Sequence, residues 1–151
     1  MAKRTGFGKA QCPIARSMDS IGDSWSMLII RDAMLGLRRF SEFQKSLGLA
    51  KNILTVRLRA LVAHGILKTE PASDGSAYQE YVLTPKGRGV FPVMVALRQW
   101  SEEFAFAPDE LSNIMVDRRS GQRVQKLELH ARDGRLLGVE DIEVKNISSA
   151  S

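Results

Sequence analysis

Ser41-Glu42-Phe43-Gln44-Lys45-Ser46-Leu47-Gly48-Leu49-Ala50-Lys51-Asn52-Ile53-Leu54-Thr55-Val56-Arg57-Leu58-Arg59-Ala60-Leu61-Val62-Ala63-His64 holds two helix signals separated by a glycine. Ser41 and Gln44 have capping-box spacing, in which the serine hydroxyl takes the Gln44 amide and the Gln44 side chain reaches back. The helix they open is predicted to be short, because Leu47-Gly48-Leu49 breaks the pattern. A longer helix follows at about 51–64, with Leu54, Leu58, Leu61 and Gly65 on one face. Short helix, tight glycine turn, longer helix is the helix-turn-helix arrangement. The opposite face of the second helix carries Asn52, Thr55, Val56, Arg59 and Ala63. Small and hydrogen-bonding groups there suit a reader of the major groove, and they equally suit an amphipathic helix with a solvated face.

The flanks extend the pattern. Upstream, Asp23 or Ser24 can cap a helix whose stripe is Trp25, Leu28, Ile29 and Ala33, and Gly36 ends it. Downstream, Ile66 to Glu70 and Tyr78 to Leu83 read as two strands joined by the turn cluster Pro71-Ala72-Ser73-Asp74-Gly75-Ser76. A hairpin at about 66–83, directly after a helix-turn-helix, is the wing of a winged helix. Thr84-Pro85 then opens a helix to about Phe104, with proline at the first helical position. Its apolar residues Val90, Val93, Met94, Leu97, Trp100 and Phe104 recur at helical spacing.

After Ala107-Pro108 the period becomes two. Asn113 to Arg118, Arg123 to Ala131 and Arg135 to Val144 are predicted as strands, separated by Ser120-Gly121 and Asp133-Gly134 turns. Such a sheet is too small for its own core. The expected class is therefore α+β. Residues 1–106 form a winged helix-turn-helix and dimerisation domain with a long terminal helix, 107–147 a small antiparallel β extension, and 148–151 a tail.

Composition narrows the function. The 151 residues are 44% hydrophobic and 26% charged, as in an ordinary globular protein. No apolar run reaches the roughly 20 residues of a membrane span. Met1-Ala2-Lys3-Arg4-Thr5 leads into no signal-peptide core, so a cytoplasmic location without a membrane partner is expected. One cysteine, Cys12, excludes an internal disulfide, and with only two histidines a structural zinc site is not expected.

The charge is uneven. Residues 1–106 hold 15 basic and 9 acidic side chains, or +6, whereas 107–151 hold 7 and 8, or −1. Between Arg38 and Lys68, seven basic residues (Arg38, Arg39, Lys45, Lys51, Arg57, Arg59, Lys68) face only Glu42. Releasing counterions from DNA is a common use of such a surplus, and a merely solvated basic surface is the alternative. Arg57 projects nearer the buried edge than Arg59 and is expected to pair within the domain.

Cys12-Pro13, Ile21-Gly22, Trp25, Gly36, Arg39-Phe40, Leu54, Arg57-Leu58, Leu61, Gly65, Tyr81-Val82-Leu83-Thr84, Gly87 and Trp100 occur in this order. Over roughly Cys12 to Phe104 the chain resembles the HxlR-type, MarR-like winged-helix transcription regulators of bacteria. The resemblance implies a homodimer, held by its terminal helices, that binds a pseudo-palindromic operator in double-stranded DNA as a repressor or activator. On that reading Asn52, Thr55, Val56 and Arg59 enter the major groove, while Arg38, Arg39 and Lys51 hold phosphates. The wing, with Ser76 and Gln79, lies along the minor groove or flanking backbone. The chain departs from the family pattern at Asp23-Ser24, at a wing tip without arginine, and at Ala50, where a serine or threonine cap is usual.

Two sensing devices are open. The resemblance implies that a cysteine at the position of Cys12 can sense oxidants or electrophiles, and Lys9 and Arg16 could favour its thiolate. A small buried residue at a dimer contact is the other reading. Met18, Met27, Phe91, Met94 and Trp100 could line a pocket for a small apolar effector, or serve as plain core. An enzyme is not expected: Gly6-Phe7-Gly8-Lys9 lacks phosphate-loop spacing, and His64 and His130 have no nucleophile or carboxylate beside them. No catalytic residue, metal or cofactor is assigned. The remaining rival is a winged helix that docks proteins without binding DNA, against which the basic surplus counts.

Overall fold

The computed structural model describes residues 6–147. The start Met1 to Thr5 and the Ser148–Ser151 tail lie outside the described residues. The order is α1 (Pro13–Ile21), α2 (Ser24–Met34), α3 (Phe40–Leu47), α4 (Lys51–Ala63), β1 (Leu67–Pro71), β2 (Gln79–Leu83), α5 (Pro85–Arg88) and α6 (Phe91–Phe104). The chain divides into two compact units, Met1–Met94 and Val95–Ser151. The division falls inside α6, ahead of the composition change at Ala107-Pro108.

In the first unit α2, α3, α4 and the start of β1 bury Ile29, Ile30, Phe43, Leu54, Leu58, Leu61, Ile66 and Leu67 almost completely. Asp23 caps α2 by accepting the Ser26 amide at 2.8 Å. Gly36 turns the chain out of it with a φ of 102°. α4 closes in a Schellman motif: the Ile66 amide reaches the Leu61 carbonyl at 2.9 Å, and the Gly65 amide reaches Val62 at 3.0 Å. That tight closure swings the chain directly into β1. The two strands are antiparallel, with Leu67 opposite Leu83 and Thr69 opposite Tyr81. The Tyr81 amide also donates to the Arg38 carbonyl at 2.7 Å, so the connection between α2 and α3 is tied to the hairpin.

Three expectations need correction. The capping box of α3 does not use Ser41 and Gln44. The helix starts at Phe40, and Glu42 accepts the Arg39 amide at 2.9 Å and the Arg38 amide at 3.3 Å. A glutamate in the first turn also meets the helix dipole better than the neutral Gln44 would. Gln44 instead reaches forward to the Leu49 carbonyl at 3.3 Å and holds the turn.

The helix predicted from Pro85 to about Phe104 is two. Thr84 caps α5 through the Gly87 amide at 3.0 Å, as its sequence requires, but α5 ends at Arg88. In one continuous helix Pro92 would press its ring on the Arg88 carbonyl and leave that carbonyl unbonded. Restarting at Phe91 puts Pro92 in the first turn of α6, where no amide is needed.

The C-terminal sheet is reduced as well. Among the described residues 113–144 pair only through isolated bridges, Val116 with Arg123 and His130 with Leu136. The glycine turns form where expected, with Gly121 at φ 71° and Gly134 at φ 92°. Between the bridges the backbone of Gln125 and Leu127 is taken by one side chain. The Gln99 carboxamide donates to the Gln125 carbonyl at 3.0 Å and accepts the Leu127 amide at 2.7 Å, where a neighbouring strand would otherwise sit. A short 3-10 turn at Val139–Asp141 interrupts the third predicted strand.

Candidate nucleic-acid interface

The outward face of α4 follows from the burial of its inner one. With Leu54, Leu58 and Leu61 in the core, Lys51, Asn52, Val56 and Arg59 are exposed and Thr55 is half-buried. Thr55 donates its hydroxyl to the Lys51 carbonyl at 2.8 Å, which leaves the acceptor lone pairs of that hydroxyl unused by this bond. Among the described residues Lys51, Asn52 and Arg59 have no side-chain partner. Arg57 differs: its Nε lies 3.6 Å from Asp23, the intradomain pair its position predicts. Ala50, at the N-cap, offers no side-chain acceptor, so the first amides of α4 are uncapped.

Arg38 and Arg39 do not stand free. Arg38 donates to Glu80 at 3.1 Å. Arg39 pairs with Asp74, lies 4.0 Å from Glu80, and sits 5.9 Å above the Tyr78 ring. Glu80 is itself buried and accepts the Ser73 amide at 3.1 Å and the Ser73 hydroxyl at 3.0 Å. The two arginines therefore rivet the hairpin turn, and each is matched by a carboxylate. Lys68 is likewise paired, with Glu70 at 3.1 Å. The charge surplus read from the sequence is consequently narrower in space, resting on Lys45, Lys51 and Arg59.

The wing turn is stiff for local reasons. Ser76 donates its amide to Asp74 at 3.0 Å, while Gly75 supplies a φ of 78°. Hydrogen bonds from Ser76, and then from Arg39, hold the Asp74 carboxyl far below the usual carboxylate range. Gln79 is exposed at the start of β2 and Ser76 is half-buried. The sequence reasoning missed Ser73, Asp74, Tyr78 and Glu80 as a group. One signal was present: a glutamate in the middle of a hairpin strand is misplaced unless paired, and the twin arginines were the nearest unclaimed cations.

The five candidate effector residues occupy separate places. Phe91 lines one cleft of the first unit and Met18 another. Met27 and Met94 are partly buried against the core, and Trp100 is exposed on α6. No described cavity gathers them. Cys12 is a free, exposed thiol at the N-cap of α1. Near it Arg16 is turned to the Ala10 carbonyl at 2.6 Å.

The geometry is that of a helix-turn-helix with a riveted wing, and the family comparison agrees. The model of the HxlR-like helix-turn-helix family matches residues 20–108. The chain belongs to this family. That HxlR-like segment spans α2 to α6, with the rest of the second unit beyond it. The HTH-type transcriptional regulator Rv3095 of Mycobacterium tuberculosis is 36% identical over 96 residues, 64% of this chain and 61% of that protein. The HxlR-like chain thus spans about three fifths of that relative. The crystal structure of PA1607 is 57% identical with a TM-score of 0.90, covering 95% of this chain and 100% of that one. The oxidized form of the redox regulator HypR is 30% identical, with a TM-score of 0.57 over 64% of this chain and 100% of that one.

Proposed function

We propose that the chain is a homodimeric, sequence-specific DNA-binding transcription regulator, acting as a repressor, with α4 in the major groove and the β1–β2 wing beside it. The observation that carries this is the outward face of α4. Asn52 and Arg59 are exposed and, among the described residues, without partners in a domain that pairs Arg38, Arg39, Arg57 and Lys68 internally. Amide and guanidinium groups at this spacing can each make bidentate contacts to purine edges, worth about 1–3 kcal/mol of discrimination apiece. Lys51, with the uncapped amides of α4 behind it, suits a phosphate at the helix N-terminus. Arg38 and Arg39 reach a phosphate only while shared with Glu80 and Asp74, so their main work is to fix the wing.

α6 supports the homodimer. Its Val95 is buried, yet Val93, Leu97, Trp100 and Phe104 form an exposed apolar stripe at helical spacing. A helix that is apolar on two faces wants a partner for the second. Two reading helices related by a two-fold axis require a pseudo-palindromic operator. The test is selection of duplexes from fragmented genomic DNA, followed by titration of the enriched duplex against rising salt. Enrichment of an inverted repeat with a steep salt slope supports the proposal. No salt-dependent binding would instead support protein docking.

A second reading concerns control. Cys12 is a free, exposed thiol at the N-cap of α1, and the similarity to the redox regulator HypR supports an oxidant response. With one cysteine, the available products are an intersubunit Cys12–Cys12 link, a mixed disulfide, a sulfenic acid or an adduct. Diamide should change operator affinity in the wild type and leave Cys12→Ser unchanged. Unchanged binding in both proteins would remove this reading.

A further inference from the structure

The extended stretch 123–131 of the second unit has two hydrogen-bonding edges, and they are used unequally. On one edge the Gln99 carboxamide donates to the Gln125 carbonyl and accepts the Leu127 amide. On the same edge the Leu129 carbonyl takes the Leu137 amide, and the Ala131 amide donates to the Arg135 carbonyl. The opposite edge begins paired, with the Val124 amide on the Met115 carbonyl at 3.1 Å. It then opens, because Asn113 is drawn off to Arg98 by contacts of 2.9 and 2.7 Å from its carbonyl and side chain. Among the described residues the amides of Glu128 and His130 donate to nothing. The stretch 142–147 is in the same state: the amides of Glu143, Val144 and Lys145 donate to nothing among the described residues. Val144 is 92% exposed and Leu129 is 59% exposed. Unpaired edges with apolar side chains are templates for another strand.

These two stretches cannot pair within one chain. Residues 135–137 already run antiparallel to 129–131 on the used edge. A strand that continued from them onto the open edge would lie parallel to them, with 123–131 in between. A crossover of that kind takes about a dozen residues. Only 138–141 separate the two, and Val139–Asp141 form a 3-10 turn.

We infer that the 142–147 stretch of one copy pairs antiparallel with the open edge of 123–131 in a second copy. Each copy gives one strand and receives one about a two-fold axis. A foreign strand would fill one edge and leave the other bare, whereas a second copy fills both. The side chains select the register. Leu129 opposite Val144 places Ala131 opposite Ile142 on the same face and Glu128 opposite Lys145 on the other. Sliding by two residues, with Leu127 opposite Val144, would set Glu128 against Glu143 and Lys126 against Lys145, and like charges directly opposite are unfavourable. The pairing rests on the homodimer reading above and is independent of DNA binding.

The test follows amide exchange by NMR in the full-length, isotope-labelled chain, with the oligomeric state measured by sedimentation. In the dimer the Glu128, His130, Glu143 and Lys145 amides should exchange at least tenfold more slowly than in the chain diluted to monomer. A sample of mixed labelled and unlabelled copies should show a cross-copy NOE between the Leu129 and Val144 methyls. Glu128→Lys and Lys145→Glu should each weaken self-association at least threefold, since each change counts twice in a symmetric dimer, and the two combined should restore it. A dimer in which these amides exchange as fast as in the monomer, or in which the cross-copy NOE is missing, overturns the strand pairing and leaves the homodimer reading standing. A double reversal as weak as the single changes overturns the register. A chain that stays monomeric at every concentration overturns the homodimer reading and the pairing with it.

Discussion

Arg38 and Glu80 are 42 residues apart in sequence and 3.1 Å apart in space, and their pairing joins the start of the helix-turn-helix to its wing. The Glu80 carboxylate is buried, while the Arg38 side chain is about half exposed. The pair therefore acts as a positioning contact: Glu80, fixed by Ser73, decides where Arg38 points. Glu80→Gln keeps the shape and removes the charge. It should lower the unfolding midpoint and speed hydrogen exchange at the Ser73 amide, with the amides of α4 unaffected. Uniform protection across the wing in the variant would contradict the assignment.

The same carboxylate gives a pH dependence. The Ser73 amide lowers the Glu80 pKa; burial opposes this, and the Ser73 hydroxyl, Arg38 and Arg39 add to the lowering. Because the folded value lies below the unfolded one, the stabilisation is full above the unfolded value and fades as pH falls through the folded value. Asp74 has the same sign. Thermal midpoints measured downward from pH 6 should fall once pH passes below about 4. The fall should be shallower in Glu80→Gln than in the wild type; equal slopes would exclude Glu80 as a source.

Ala50 is an opportunity for stabilisation. It occupies the N-cap of α4 with extended backbone and no side-chain acceptor. Ala50→Ser should add about 1 kcal/mol, read as a raised denaturant midpoint at unchanged m-value. If an operator phosphate uses the same amides, the serine hydroxyl competes with it, so DNA affinity should fall as stability rises.

Gly87 shows the opposite limit. A Cβ there would lie 2.2 Å from the Ile66 carbonyl oxygen, a backbone atom that cannot step aside cheaply. Gly87→Ala should cost at least about 3 kcal/mol, a loss reserved for buried steric conflicts. Gly48→Ala meets nothing within 4 Å and pays only for its φ of 64°, about 1–2 kcal/mol. Urea unfolding of the two variants side by side checks the order; equal losses would show that the close approach at Gly87 is relieved by movement.

What could be read in the sequence was local. Asp23, Gly36, Gly48, Gly65 and Thr84-Pro85 each dictate their own turn or cap, and the helix-turn-helix and hairpin stand within a residue or two of where those signals put them. Misreadings arose where two local signals competed. Ser41 and Glu42 both offer caps, and the charged one, reaching two amides, prevails. Thr84-Pro85 opens a helix that Pro92 cannot let continue. α1 goes beyond the expected elements, although Cys12-Pro13 with Ile14, Met18 and Ile21 carries its start signal and stripe.

The site was legible in one dimension only. The period of α4 fixes which residues face out, so Asn52, Val56 and Arg59 could be named from the leucines alone. Nothing local says that Arg38 and Arg39 meet Glu80 and Asp74, because those pairs depend on the hairpin folding back across about forty residues. The alternation in 113–144 suits strands, but a period of two cannot tell a ladder from extended chain held by a Gln99 side chain.

The central claim is that the outer side chains of α4 read bases. Its most direct test is sequencing of random duplexes retained by the wild type, by Asn52→Ala and by Arg59→Ala at one fixed salt concentration. The wild type should enrich an inverted repeat whose half-sites are centred about 34 Å apart, or a multiple of that. Each variant should lose preference at one base position per half-site while still binding DNA. Identical enrichment from all three proteins, or none above the starting pool from the wild type, would contradict it.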